Sequence, residues 1–328
     1  MWCPIPDIVY RVFEAGFLMF ATFPMASIFF PKLLRARETV ATAMTEYVRK
    51  GGPESASGLV RLRYEHHHER FGMSLEDIAR GELGNTFAVL GNTAPCAFWL
   101  IYHIFSDDQV LADIRREVSA LVYEDLSDDH EIVHSIDLAA IRDSSPILVS
   151  TLQETMRFRS VATSLRVVLE DVYLDNRYLL KKGSMLMIPG AVQHRDISAW
   201  GDNALEFDYK RFIRKPGEGQ KMPSRIAFRA FGGGHDLCPG RHFASTEILV
   251  FAALLVLQYD LVPLQGKWTE PKCDNTPAQS AFPIPDGGLA ELEVEFRPRD
   301  ASSKWNIKFS GSDKAIDMAS EDSLAGDI

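Results

Sequence analysis

One short segment gathers residue types from which chemistry could be built: Phe231-Gly232-Gly233-Gly234-His235-Asp236-Leu237-Cys238-Pro239-Gly240-Arg241. Three consecutive glycines let the backbone turn tightly. A single cysteine stands just ahead of an apolar run, Phe243 to Gln258, whose pattern predicts a helix. A metal site with one sulfur ligand against a flat cofactor needs this arrangement. Loop N–H groups and the helix N-terminus stabilise the thiolate, while Phe231 and Pro239 exclude water from it. A glycine-rich turn that merely buries a cysteine is the competing reading of these residues.

The spacing narrows the choice. Phe231, two residues, Gly234, three residues, Cys238, one residue and Gly240 resembles the haem-binding signature of the cytochrome P450 family, with Arg241 and Ala244 in agreement. The resemblance implies haem b (iron protoporphyrin IX) as cofactor and Cys238 as axial and metal ligand, with Phe231, Gly234, Gly240 and His235 around it. It also gives Glu154-Thr155-Met156-Arg157 a role. An offset of three puts carboxylate and guanidinium on one helix face, and the family locks such a pair with a second arginine. Phe207-Asp208-Tyr209-Lys210-Arg211-Phe212 resembles that downstream element, so Arg211 becomes the third member of a structural Glu154–Arg157–Arg211 network. Without the resemblance, such a pair is usually a surface salt bridge of little value. Arg166 resembles the arginine that pairs with a haem propionate. Two residues before the cysteine, where many members carry a base, this chain has Asp236, and His235 compensates in part.

On the opposite face of the cofactor the family uses an acid and a threonine to deliver protons to dioxygen. Here the stretch is Ala88-Val89-Leu90-Gly91-Asn92-Thr93-Ala94-Pro95, which resembles the branch containing sterol hydroxylases and prostacyclin synthase, and fungal members. Asn92 and Thr93 are the candidate catalytic pair. An amide orients water but relays a proton less readily than a hydroxyl. The expected substrate walls are Phe87, Leu90 and Asn92, then Val161 to Leu165, then Ser280 to Phe282; ordinary core packing is the alternative for each. Apolar linings favour a lipophilic substrate such as a sterol, terpenoid or polyketide.

These residues need elements to hold them. Helices are expected over Leu33–Arg49, from the Ser74/Asp77 cap into a largely buried stretch Leu83–Phe105, over Asp107–Val118 and over Leu138–Arg159. Pro95 removes a backbone donor, so the buried helix should open near Gly91. Short strands are expected at Val167–Leu169, Val172–Leu174, Met185–Ile188 and near Leu289–Phe296. The acidic stretch Glu124–Glu131 reads as a spacer, and the Ser- and Asp-rich residues 301–328 as a disordered tail after a domain of residues 1–300. The fold class is mainly α with small β-sheets, an α+β arrangement. The resemblance makes it a P450-like fold lacking its N-terminal part, without a membrane anchor.

Composition excludes other classes. With 328 residues, 46% of them hydrophobic, the chain can bury a sizeable core. A net charge of −10 argues against a nucleic-acid partner. Four cysteines without a CxxC pair suggest neither a disulfide framework nor a zinc site. The uncharged run Ala15–Phe30, broken by Pro24, is shorter than the roughly twenty residues of a spanning helix and reads as a buried or membrane-facing segment. His66-His67-His68 cannot share one helical face and reads as a solvated patch. No dinucleotide fingerprint is present, so the resemblance implies electrons from NADPH through a separate reductase, on the cytoplasmic side of the endoplasmic reticulum membrane or, lacking an anchor, in the cytoplasm. Alternatives are an isomerase or dehydratase needing no external electrons, a haem-binding remnant without turnover, and an interaction protein with a fortuitous glycine loop.

Overall fold

The computed structural model describes residues 9, 10, 12–14, 16, 17, 25–126, 131–213, 225–234, 236–274, 280–285 and 292–310. The chain forms two compact units, residues 1–92 and 93–328. Half of Ala15–Phe30 and all of 311–328 lie outside the described residues, as does His235.

In the first unit, helix α1 (Pro31–Arg49) starts on Pro31 at a position where its missing N–H costs nothing. It buries Ala36, Val40, Ala41, Thr45 and Val48, a stripe at helical spacing. After α2 (Gly58–Glu65), α3 (Leu75–Ala88) packs on α1 through Ile78, Ala79 and Leu83. Ser74 Oγ accepts the Asp77 N–H at 3.1 Å, the cap expected from the sequence. His66–Arg70 forms a widened π-helical turn in which His68 stacks on Tyr64. Among the described residues no three His, Cys, Asp or Glu side chains are grouped to hold a metal.

The second unit is built around α8 (Arg241–Gln258). Against it pack α4 (Ala94–Phe105), α5 (Asp108–Ser119), α6 (Leu138–Ser144) and α7 (Pro146–Arg159). Trp99, Leu100, Ile104, Ile114, Leu148, Leu152, Ile248, Leu249, Ala252 and Val256 form the core. Two helical runs, Leu75–Phe105 and Arg241–Gln258, are long and apolar enough to cross a membrane by composition. The second buries much of its apolar surface here as a core helix.

Three expectations are corrected. The helix expected over Leu138–Arg159 breaks at Ser145, because Pro146 cannot continue a helix but opens a new one. Glu117 on α5 caps the new start, accepting the Ile147 and Leu148 N–H groups at 2.9 Å each. The acidic spacer contains strand Tyr123–Leu126, antiparallel to Ile132–Asp137. The supposed tail supplies strand Trp305–Lys308, parallel to Ile132–Asp137, with the Trp305 ring 5.2 Å from that of His134. The tail's polar composition masks an apolar pair, Trp305 and Ile307, at strand spacing.

Thr163–Val167 pairs with Met185–Pro189. Between them Val172–Leu174 and Tyr178–Leu180 form a hairpin whose turn residues Asp175 and Asn176 both have φ of 53°, the left-handed geometry such a turn requires. Gly190 follows at a close approach: its N–H donates to Ala162 O at 2.8 Å, and a Cβ there would stand 2.6 Å from that oxygen. Tyr259–Pro263 pairs with Val294–Pro298.

Candidate functional site

Gly232–Gly233 and Asp236–Leu237 form a two-rung antiparallel hairpin. Gly234, with φ of 76°, turns its tip, a conformation that side-chain-bearing residues rarely adopt. The Cys238 N–H closes the hairpin onto Phe231 O at 3.0 Å, and Phe231 packs against the core. The chain then enters α8: the Ala244 N–H donates to Gly240 O, and Arg241 Nη1 to Cys238 O at 3.2 Å. This leaves the Cys238 side chain exposed at the first turn of a core helix, where the helix dipole favours an anion. A Cβ on Gly240 would stand 3.9 Å from Cys238 Sγ, an ordinary contact, so the fold itself does not demand a glycine there.

Arg166, 67 residues earlier in the chain, reaches this loop, donating through Nη2 to Gly233 O at 3.0 Å and through Nη1 to Leu165 O. A second guanidinium, Arg229, lies over Gly233, its carbon 2.5 Å from where a Cβ would stand. Its Nε is buried without an acceptor. Two cations without a carboxylate partner among the described residues, beside an exposed thiol, fit a cofactor that brings its own carboxylates, as haem does.

Beneath the loop, Glu154, Arg157 and Arg211 meet. Arg157 donates to both Glu154 oxygens at 2.7 Å, and Arg211 Nε is 3.0 Å from each. Glu154 and Arg157 are fully buried. The surplus positive charge is spread over carbonyls: Arg157 reaches His194, Ala204 and Glu206, and Arg211 reaches Asn203 and Glu206. Paired and fully hydrogen-bonded, the group is the kind of buried ionic cluster that fixes one geometry.

His194 joins this network to the hairpin. Its carbonyl takes Arg157, and its ring Nε2 accepts the Arg229 N–H at 2.9 Å, so the ring proton is on Nδ1. Burial, reinforced by the Arg157 charge, lowers its pKa from 6.5 to about 4. The unfolded chain therefore takes up this proton first. The stability His194 contributes is complete above about pH 6.5 and is lost as pH falls toward 4, by about 3 kcal/mol. Urea unfolding at pH 7 and pH 4.5 should show a smaller acid loss in His194→Gln than in the parent chain. Equal losses in both would remove His194 as the cause.

The expected opening of the long helix is present as a π-helical turn, Val89–Thr93. Pro95 has no N–H for the carbonyl of Gly91, and the turn widens around that gap. Asn92 Nδ2 donates to Ala88 O at 3.1 Å, so its amide is engaged within its own turn; Thr93 is half-buried. The expected burial holds for much of Pro95–Phe105 but not for Val89 and Leu90, which are exposed. Phe87 sits in an aromatic cluster of the first unit, 4.7 Å from the Phe17 ring and 5.3 Å from Phe13. In the second unit, the Val161 N–H donates to Ala281 O at 2.8 Å, joining two of the expected wall segments. Phe282 is buried in the core, and Leu165 is exposed. Val161 instead lines a cavity of about 360 Å³ with Arg159, Arg195 and Glu270. No local pattern pointed to His194, a lone histidine. Arg229 could have been noticed as a cation two residues before Phe231.

The fold and site thus define a mainly helical protein that presents one cysteine from a glycine hairpin at the start of its central helix, over a buried carboxylate–arginine lock. Comparison with known proteins agrees. Residues 13–288 match the cytochrome P450 family. A cytochrome P450 monooxygenase, nodJ of Hypoxylon pulicicidum, is 38% identical over 88% of this chain and 56% of its own length. Human prostacyclin synthase is 28% identical over 63% of this chain and 43% of its own. Among solved structures, retinoic acid-bound cyanobacterial CYP120A1 superposes with a TM-score of 0.67 at 21% identity, covering 88% of this chain and 62% of that one. The chain belongs to the cytochrome P450 family, whose cofactor is haem. It spans about half the length of the curated relatives it matches.

Proposed function

We propose that this chain carries the haem-ligating part of a monooxygenase that oxidises a lipophilic small molecule, with haem b held by Cys238 and electrons supplied by an NADPH-dependent reductase. The observation that carries this reading is the exposed Cys238 thiol at the N-terminus of α8, on a hairpin flanked by two cations without a carboxylate partner among the described residues. Bound haem would supply the activation of dioxygen. The protein's own work is positional. The hairpin and the helix N-terminus would present the Cys238 sulfur to the iron. Phe231 and Pro239 shield it, and Arg166 meets a propionate. The Glu154–Arg157–Arg211 lock fixes the segment from His194 to Phe212 beneath. Asn92 and Thr93 would orient water on the distal side. Phe87, Leu90, Val161, Leu165 and Phe282 remain candidate substrate contacts, with Phe87 and Phe282 acting through packing in this fold. Family resemblance supports a location at the cytoplasmic face of the endoplasmic reticulum membrane and a role in secondary metabolism.

Asn92 supports a second reading. An amide already bonded within its turn relays protons poorly, which suits haem chemistry that rearranges a substrate without external electrons. The deciding experiment is reconstitution with haem, a ferrous carbon monoxide difference spectrum, and turnover of sterols, terpenoids and polyketides with and without NADPH and reductase. A thiolate-type Soret band with reductase-dependent oxidation is expected. Turnover without reductase would favour the second reading, and absence of the band would end both.

A further inference from the structure

We propose that Arg229 is a second carboxylate-binding residue for the haem, forming with Arg166 a two-guanidinium clamp on one propionate; the proposal rests on the haem reading above. Both cations converge on Gly233 from different elements. Arg166 comes from strand Thr163–Val167 and bonds the Gly233 carbonyl. Arg229 comes from the segment entering the hairpin and covers the Gly233 Cα, in space that any side chain at 233 would take. Neither makes an ion pair with a described carboxylate. The Arg229 guanidinium, its Nε buried without an acceptor, pays the desolvation of a charged donor without return, and the Arg166 guanidinium at the same glycine adds repulsion. A carboxylate offers the planar, bidentate acceptor that an arginine fork matches.

The surroundings make another role for Arg229 hard to find. Its own N–H is fixed by His194, which is neutral, buried and so supplies no anion. His194 is held in turn by Arg157 of the buried lock. The backbone that carries Arg229 is thus fastened by a buried ring, while its side-chain Nε has no acceptor among the described residues.

The test separates this clamp from the haem reading itself. The full chain, Arg229→Met and Arg229→Lys are each loaded with iron protoporphyrin IX or its dimethyl ester, which lacks propionate charge. Loss of the porphyrin to excess apomyoglobin is then timed. The clamp predicts that Arg229→Met releases protoporphyrin haem about tenfold faster than the parent, the value of one charge-assisted bond. Release of the ester should be unchanged, and Arg229→Lys should fall between. Should Arg229→Met hold neither porphyrin, Arg229→Lys carries the same comparison. Equal release of protoporphyrin haem by parent and variants overturns the clamp, as does an equal acceleration for haem and ester, which would mark Arg229 as a support for the hairpin. A parent chain without a thiolate-type band overturns the haem reading, and the clamp with it.

Discussion

Glu154→Gln is expected to lower the stability of the chain by about 3–5 kcal/mol, a large part of the roughly 5–15 kcal/mol that holds a typical domain. The substitution keeps size and shape. It removes the charge that two guanidiniums share, and turns an amide NH2 toward donors that had faced a carboxylate oxygen. Arg157 and Arg211 then remain buried with only carbonyls as acceptors. The Asp208 N–H, which now donates to Glu154 Oε1 at 2.9 Å, loses strength as well. Urea unfolding, or the fraction of chain recovered soluble, measures the effect. A loss under about 1 kcal/mol, the size of a surface pair, would mean that the lock is not what holds the His194–Phe212 segment in place.

Cys238→Ala is expected to do the reverse. The side chain is exposed, and the loop is held through backbone groups, the Cys238 N–H on Phe231 O and Arg241 on Cys238 O. Stability without cofactor should change by no more than about 0.5 kcal/mol, as at most exposed positions. The thiolate-type band of the haem-loaded ferrous carbon monoxide complex should vanish completely, because no other described cysteine lies in that loop. Cys96 is buried in the core, where burial raises its pKa well above the usual thiol value and keeps it protonated. Persistence of the band in Cys238→Ala would reassign the ligand. A stability loss of several kcal/mol would make Cys238 a packing residue. The contrast between the two substitutions, one structural and one confined to the cofactor, is itself a test of how the site is built.

Local spacing made part of this protein legible. The three-residue offset of Glu154 and Arg157, the Ser74 cap, the Pro95 distortion and the glycine-flanked Cys238 all follow from bonds or contacts within a few residues, and the structure contains each. Elements whose partners lie far along the chain were harder to read. Strand Trp305–Lys308 exists because Ile132–Asp137 offers it an edge, and residues 301–310 alone give only a polar composition. The break at Ser145 was within reach, since Pro146 announces it, but the apolar periodicity ran on through it. Phe87 and Phe282 show the limit for pocket residues. Core and substrate wall use the same side chains, and only packing separates them.

The sequence by itself determined the cysteine, its glycine hairpin, the helix behind it and the residue types of the lock, because these depend on backbone freedom, periodicity and charge at fixed local offsets. The tertiary structure alone decided which distant groups meet. Arg211 reaches Glu154 across 57 residues, His194 joins the Arg157 lock to Arg229, and Arg166 and Arg229 close on the same glycine. A lone polar residue carries no local pattern that names its partner. That choice is made by the packing of helices and loops, which brings distant donors and acceptors together.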